Sequence, residues 1–508
     1  MWTVAATEPS SNPPSDDEAG GAVRSRVSYL GRADHDLGTK SALAIVTKVS
    51  PGLATLTTNL LVGRLGGAHL LGLTQTAIST AALTSLAYPG PAASAASRFV
   101  AASVAAGDPE KARVVASYLA RRVVFAIVCL IGLVIGSSFL AGVDNTTVVV
   151  VSSVMTAGLS ARIFVEGLHF GGGEGRRLAV GSLAVAAAGT AGSAILLLLG
   201  NRTPWVIVPV AVANVIFAVV TWPPRASGVL KRGERRAIRH FMIIAAFGTL
   251  ASSGFVQLTT IVANASGGAS FAGEYAAALT LTTPLAILAT AISATLFPAL
   301  SAMHAGSTAD VVRHRVTEAS SILTWLIATA VCTMIILAVP LVEFVWGSPY
   351  SNTWWILQFL LIGTLATTVA VPSVTALTSS SNKGMLISAG TSFFGALIGA
   401  ITWLVLIPTA GERGVMIGCV VATVLTGLLP YVIVWRHYRM RWARSTIEVV
   451  GIVALSIGLG VLAREGLWNG FLAPVLALAV IVAWTVIRYR DVRRAWTVIG
   501  PRLKRKKT

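Results

Sequence analysis

Polar side chains at helical spacing inside apolar segments are the residues of this sequence most suited to binding chemistry. Lys48, Thr55 and Asn59 are separated by seven and four positions, so one helix would carry all three on one face. We predict that two such faces and Gln75 line a shared aqueous cavity for a polar cargo. The alternative is helix packing, where Ser and Thr hydrogen-bond between helices. The second face carries Thr249, Ser253, Gln257, Thr260 and Asn264.

Charged residues within apolar segments are costly, so each of them needs a partner or a task. Lys48, Arg98 and Arg162 are the predicted ligands of a diphosphate group, through charge-assisted hydrogen bonds. Lys48 can also snorkel back to lipid headgroups, and Arg98 can simply follow the charge bias of cytoplasmic loops. Arg162 and Glu166 are four residues apart and are predicted to form an ion pair, either structural or as part of a substrate clamp.

The sequence contains no pattern that is typical of a metal, redox or covalent catalytic site. Cys129, Cys332 and Cys419 lie far apart in apolar segments, which favours neither a disulfide framework nor a ligand set. No group of His, Cys and carboxylate residues has ligand spacing. We therefore expect no metal, no cofactor and no catalytic residues, and we expect that the chain is not an enzyme.

The elements that must position the polar residues are membrane-spanning helices. Of the 508 residues, 55% are apolar and 12% are charged, and the mean hydropathy is +0.76. That is too apolar for a soluble protein, so we predict an all-α polytopic membrane protein. The segments long enough to cross about 30 Å of hydrocarbon lie near 41–62, 71–97, 121–141, 146–168, 178–200, 204–222, 241–263, 273–301, 319–340, 354–377, 384–407, 414–435, 446–463 and 471–487.

The basic residues predict the topology of these fourteen helices. With the N-terminus inside, about 33 of the 39 Lys and Arg residues fall on the cytoplasmic side, as the positive-inside rule requires. Both termini are then cytoplasmic, in the inner membrane of a bacterium. The net charge of +19 faces anionic lipid and does not call for nucleic acid. Arg64 and Glu274 fall at the outer ends of helices 1 and 8, where they are candidates for an outer gate.

An internal repeat predicts two related lobes. The pattern Gly-Ala-x-x-x-Gly occurs twice, each time before an apolar helix and a basic turn. Chance similarity of Ala- and Gly-rich helices is the alternative. The two copies are Gly67, Ala68, Gly72 and Gly268, Ala269, Gly273, at an offset of 201. The predicted organisation is a disordered tail 1–40, an N-lobe 41–222 of six helices, a basic linker 223–240, a C-lobe 241–440 of six helices, two appended helices 441–487 and a basic tail 488–508.

Several of these stretches resemble a known transporter family. LVGRLGGAHLLGLTQTA and SRFVAASVAAGDPEKAR look like the N-terminal half of polysaccharide and O-antigen flippases, and GEYAAALTLTTPL, ATLFPALS and GVMIGCVVATVLTGLLPYVIVWRHYR look like their helices 8 and 12. These flippases belong to the multidrug/oligosaccharidyl-lipid/polysaccharide (MOP) exporter superfamily. The resemblance covers roughly residues 40–440 and implies two lobes around a V-shaped cavity, alternating access and a lipid-linked oligosaccharide as cargo. Relatives often carry an acidic residue where this chain has Thr259, which puts carboxylate-based ion coupling in doubt.

The expected function is the export of a polyprenyl-diphosphate-linked saccharide across the membrane. The expected partners are this substrate and membrane lipids, with glycan polymerases or glycosyltransferases as candidate protein partners. Three alternatives remain: a lipid II-type peptidoglycan precursor flippase, a multidrug/cation antiporter of the same fold, and a non-transporting scaffold for glycan assembly. The sequence does not identify the sugar, the polyprenol length or a coupling ion.

Overall fold

The described structure is all-helical. A computed structural model describes residues 16–140, 145–306, 309–380, 382–437, 440, 442–464 and 472–489, and within these ranges the side chains of 16–46, 48, 290–315 and a few residues next to gaps are not described. The first half contains α1 (Asp16–Ala87), α2 (Pro89–Ala105), α3 (Pro109–Leu140), α4 (Thr146–Gly172), α5 (Gly175–Leu198), α6 (Val208–Val220) and α7 (Arg232–Thr249). The second half contains α8 (Phe255–Gly306), α9 (Ala309–Ile336), α10 (Ala338–Trp346), α11 (Trp354–Val369), α12 (Val371–Ser380), α13 (Asn382–Ala410), α14 (Glu412–His437), α15 (Ala443–Arg464) and α16 (Leu472–Ile487).

These helices confirm the predicted class of an all-α polytopic membrane protein. Within the described ranges, ten helical segments are long and apolar enough to cross a membrane, and two shorter apolar helices, Pro204–Val220 and Ala473–Ile487, accompany them. Two of the ten are much longer than one crossing needs: Val49–Ala87 has 39 residues and Arg232–Ala289 has 58. At 1.5 Å per residue each of them has the length for two of the predicted spans.

The structure differs from the predicted boundaries at both ends of the N-lobe. The backbone is already helical from Asp16, whereas residues 1–40 were expected to be a disordered tail; residues 1–15 lie outside the described chain. Helix α7 begins at Arg232, so the second half of the basic linker 223–240 is helical too. Glu234 explains this start, because its side chain accepts a hydrogen bond from the Lys231 backbone N–H at 3.0 Å and caps the helix.

The repeat is visible in the backbone at its two glycines. Gly67 has φ 78° and ψ 176°, and Gly268 has φ 76° and ψ 179°, so both long helices are interrupted in the same way. A side chain rarely adopts this positive φ, which explains the glycine at each position. Just beyond the kinks the helices touch reciprocally: Gly72 packs on the Ala269 carbonyl, and Gly273 packs on that of Ala68. Such a reciprocal contact is the property of a two-fold relation between α1 and α8.

A second pair of irregularities lies at equivalent depth in the two repeats. Pro51 sits inside α1, where it removes one backbone donor from the helix. The residue 201 positions later falls in the wider π-helical turn Leu250–Gly254, which joins α7 to α8. Both long helices are therefore loosened at the place where the predicted polar faces begin. π-Turns of this kind occur frequently at functional sites.

Candidate functional site

The structure brings several predicted residues together in a cavity inside the N-lobe. This N-lobe cavity lies between α1, α4, α5 and α6 and has a volume of about 120 Å³. Its polar lining consists of Thr55, Thr58, Asn59, Arg162, Thr190 and Asn214, and among the described lining residues Arg162 is the only one with a charge.

Arg162 is held firmly although it is buried. Its Nη1 donates to Asn214 Oδ1 at 2.9 Å, and its Nη2 lies 3.7 Å from Glu166 Oε1 on the next turn of α4. The predicted pair therefore exists, although its separation exceeds hydrogen-bonding distance. Only 8% of Arg162 is exposed, and Nη2 has no hydrogen-bond partner in the described part of the chain. A buried guanidinium with one N–H group that is not hydrogen-bonded is suited to bind an anionic oxygen.

Helix α1 supplies the opposite wall of the N-lobe cavity. Thr55 donates to the carbonyl of Pro51 at 2.9 Å, while Thr58 and Thr190 join their hydroxyls at 3.2 Å. Asn59 is 5% exposed and donates from Nδ2 to Thr280 Oγ1 at 2.9 Å. The Asn59 amide thus lines the cavity and also bonds to the other half of the repeat. A cargo that hydrogen-bonds to Asn59 would therefore compete with the bond to Thr280 at the lobe interface.

The polar face predicted for helix 7 is not one continuous stripe. Thr249 lies before the wide turn Leu250–Gly254, which shifts the register relative to the positions after it. Ser253 is exposed, Gln257 and Asn264 are half-buried, and Thr260 is fully buried. None of these five residues lines the N-lobe cavity, so their role as cargo contacts stays a prediction.

Buried polar atoms at the lobe interface are unevenly paired. The repeat makes Thr260 the counterpart of Asn59, and Ser79 the counterpart of Thr280. Asn59 and Thr280 form a hydrogen bond, whereas the hydroxyls of Ser79 and Thr260 have no hydrogen-bond partner in the described chain. Gln75 is also buried here, and its Oε1 is likewise unpaired among the described residues.

The outer-gate role of Arg64 and Glu274 stays a prediction. Arg64 donates to the carbonyls of Phe344 and Val345, with a distance of 2.6 Å to the latter, and no ion pair joins it to Glu274 within the described residues. Arg64 donates to these carbonyls because they belong to the last turn of α10, where carbonyls lack helical partners and carry partial negative charge. Arg64 therefore caps this helix.

The remaining predicted cations are placed differently. The guanidinium of Arg98 is exposed and lies 5.0 Å from the ring centre of Phe241, so it links α2 to α7 by a cation–π contact. The side chain of Lys48 is outside the part of the chain that the structure describes. The diphosphate role of both residues stays a prediction.

Three polar lining residues, Thr58, Thr190 and Asn214, were missed by the sequence reasoning. Asn214 holds Arg162 and is the one amide side chain within the apolar helix α6, which was a usable signal. Thr190 gives no such signal, because a single Thr in a helix is satisfied by its own backbone. Its role depends on which helix packs against α5.

Comparisons with known proteins identify the fold and leave the substrate open. No protein-family model and no curated protein matches this sequence. Among solved structures, an inward-facing multidrug resistance MATE family transporter of the MOP superfamily superposes with a TM-score of 0.64 at 16% identity, covering 78% of this chain and 98% of the other. The lipid II flippase MurJ in an inward closed conformation gives 0.64 at 14% identity, over 89% and 99%.

A third structure shows that the binding pocket varies on this fold. It is a MOP superfamily transporter from Pyrococcus furiosus, described as having a binding pocket of reversed polarity that suggests a different function. Its TM-score is 0.53 at 17% identity, over 78% of this chain and 94% of the other. The chain thus has the fold shared by MOP superfamily transporters and by the lipid II flippase MurJ.

Proposed function

We propose that this protein is a flippase that moves a polyprenyl-diphosphate-linked saccharide from the inner to the outer leaflet by alternating access. The observation that carries the proposal is the N-lobe cavity, where the buried Arg162 is the only charged residue among the described lining residues. A cation among hydroxyl and amide groups suits a phosphate with attached sugars, because both need hydrogen bonds that hydrocarbon cannot supply.

The polarity of this cavity argues against a cation antiporter. A cationic drug needs carboxylates or aromatic faces in its path, and the described lining of the N-lobe cavity contains neither, while the nearby Glu166 carboxylate is paired with Arg162. The cavity is too small in this arrangement for a whole saccharide. It is a subsite for one anionic group, and the sugars need the larger space that opens between the lobes.

An apolar groove in the C-lobe supports a cargo with a lipid tail. It lies between α9, α11, α14 and α15, has a volume of about 400 Å³, and is walled mainly by aliphatic side chains such as Leu365, Val424 and Val453. A polyprenyl chain would be shielded from water there. The appended helix α15 forms one of its walls, which gives this extra helix a role.

Export of the cargo needs no energy from a chemical step or a cofactor. A headgroup with a charge of about −2 that moves outward gains about 4–5 kcal/mol per 100 mV, with the inside negative. The membrane potential thus favours export by itself. No bond is made or broken, and the residues only bind, orient and release the cargo.

The test is reconstitution of the purified protein into vesicles that contain a fluorescent polyprenyl-diphosphate oligosaccharide. We expect outward movement of the lipid to depend on the protein and to fall at least tenfold in Arg162→Gln, while Arg176→Gln on an exposed turn serves as the matched control. In cells, depletion should make the lipid-linked glycan accumulate in the inner leaflet.

The alternatives give different outcomes in the same vesicles. Movement of lipid II and no other glycan would identify a peptidoglycan precursor flippase. Efflux of a cationic dye without lipid movement would identify an antiporter, and the absence of both would support a scaffold. Any of these three results would overturn the proposed cargo.

A further inference from the structure

The segment that joins the two lobes is strapped to the basic end of α3. The backbone N–H of Ala226 donates to Ser117 Oγ at 3.3 Å, and Gly228 lies so close to Val114 that an added Cβ would stand 2.5 Å from its Cγ2. Leu230 is buried, and its carbonyl accepts a hydrogen bond from Arg235 Nε at 2.9 Å. The connection, residues 226–230, is therefore packed between α3 and α7, and we call this segment the strap.

Three adjoining cavities follow this strap, and together we call them the linker cleft. Their volumes are about 750, 200 and 170 Å³. The first and second share Val114 and Gly228, and the second and third share Tyr118 and Arg122, so the cleft is continuous. One wall belongs to α3 of the N-lobe, and the other belongs to the strap and α7.

The charge of the linker cleft is strongly positive and largely unpaired. Lys111 forms an ion pair with Glu234 at 2.6 Å. Six arginines line the cleft without a carboxylate partner among the described residues, while Asp108 and Glu110 are the other acidic lining residues. A group of guanidiniums without carboxylate partners attracts a phosphate, which it can hold with paired N–H donors. The six are Arg113, Arg121, Arg122, Arg225, Arg235 and Arg239.

The third cavity of the cleft combines this charge with an apolar slot. Arg122 and Arg239 line it together with Ile238, Met242 and Ile243. The Arg122 guanidinium stacks 4.7 Å from the ring centre of Tyr118, which fixes its position in the cleft. A site with guanidiniums next to an exposed aliphatic slot matches an amphiphile, whose charged head and apolar chain need both surfaces.

We propose that the linker cleft is a binding site for an anionic phospholipid of the membrane, separate from the transported cargo. The phosphodiester lies among the arginines, and an acyl chain enters the slot beside Ile243. Because α3 belongs to one lobe and α7 leads into the other, the bound lipid bridges the lobes at the connection between them. It therefore stabilises the arrangement in which α3, the strap and α7 are packed together.

The test compares two double variants with the same change in charge. Arg122→Gln with Arg239→Gln removes two cations from the slot. Arg176→Gln with Arg236→Gln removes two exposed arginines that line no part of the cleft. Purified full-length protein is titrated with phosphatidylglycerol or phosphatidylcholine of identical chains, and bound lipid is counted by native mass spectrometry alongside the thermal midpoint.

We expect the wild type and the control to retain phosphatidylglycerol selectively and to gain thermal stability from it. The cleft variant should bind it about thirtyfold more weakly, since each basic residue contributes about 1 kcal/mol near anionic lipid and 1.4 kcal/mol is tenfold. Equal losses in both double variants would overturn the site in favour of general charge attraction. Equal protection by soluble glycerophosphoglycerol would overturn the lipid as ligand, and a wild type that does not prefer phosphatidylglycerol would overturn the proposal as a whole. The lipid titration does not measure transport, so each of these results is independent of the outcome of the flippase assay.

Discussion

Gly72→Ala should open the contact between α1 and α8 without unfolding either helix. An added Cβ would overlap the Ala269 carbonyl oxygen and would lie 2.7 Å from the carbonyl carbon. That separation is about 0.8 Å inside the optimal distance between two carbon atoms. The clash is with backbone, which cannot rotate away as a side chain can, so the two helices must move apart.

The free-energy cost of the clash determines how far the equilibrium shifts from the packed to the separated arrangement of α1 and α8. Overpacking by a methyl group costs about 1–3 kcal/mol, which corresponds to a shift of about 5- to 150-fold between two arrangements. Gly273→Ala should behave alike, because its Cβ would lie 2.6 Å from the Ala68 carbonyl carbon. Gly132→Ala is the matched control, since nothing lies within 4 Å of its added Cβ and alanine favours the helix by about 1 kcal/mol.

The assay is a distance measurement between spin labels at His69 and Ser270. These positions are equivalent in the repeat, and both are exposed. After the native cysteines are replaced, the distance distribution should broaden and shift outward in Gly72→Ala, and transport should fall while the melting temperature changes by only a few degrees. A distribution identical to that of the wild type, with normal transport, would refute the packing argument.

Three further changes probe the polar residues. Asn59→Ala should lower the free energy of unfolding by about 0.5–1.5 kcal/mol, and a double-mutant cycle with Thr280→Val by thermal denaturation should return most of that value as coupling. Arg162→Ala strands Glu166, so the free energy of unfolding should fall by about 3–5 kcal/mol and less folded protein should reach the membrane; an unchanged yield of folded protein would contradict this, and the protein that does fold should transport as poorly as Arg162→Gln. Cysteine at position 48, Lys48→Cys, should react with a water-soluble thiol reagent from the cytoplasm, and complete protection would remove Lys48 from the cavity.

The sequence predicted what depends on one helix at a time. The apolar segments and the pairing of Arg162 with Glu166 follow from spacing within one chain segment, and the repeat at Gly67 and Gly268 follows from comparing two segments of the sequence. The partners of Arg64 and Asn59 do not, because they lie on helices more than 200 residues away, and helical periodicity carries no information on which helices pack together. The wide turn at Leu250–Gly254 was missed because no residue type specifies it.

The uneven pairing across the lobe interface has a mechanical consequence. On one side of the two-fold relation, Asn59 and Thr280 are joined by a hydrogen bond, and on the other side the hydroxyls of Thr260 and Ser79 have no hydrogen-bond partner among the described residues. The two lobes should therefore separate first on the side of Thr260 and Ser79, and only later on the side that the hydrogen bond between Asn59 and Thr280 holds together. We expect the first water to enter beside Thr260, so that the C-lobe half of the pathway is wetted before the half that holds Arg162.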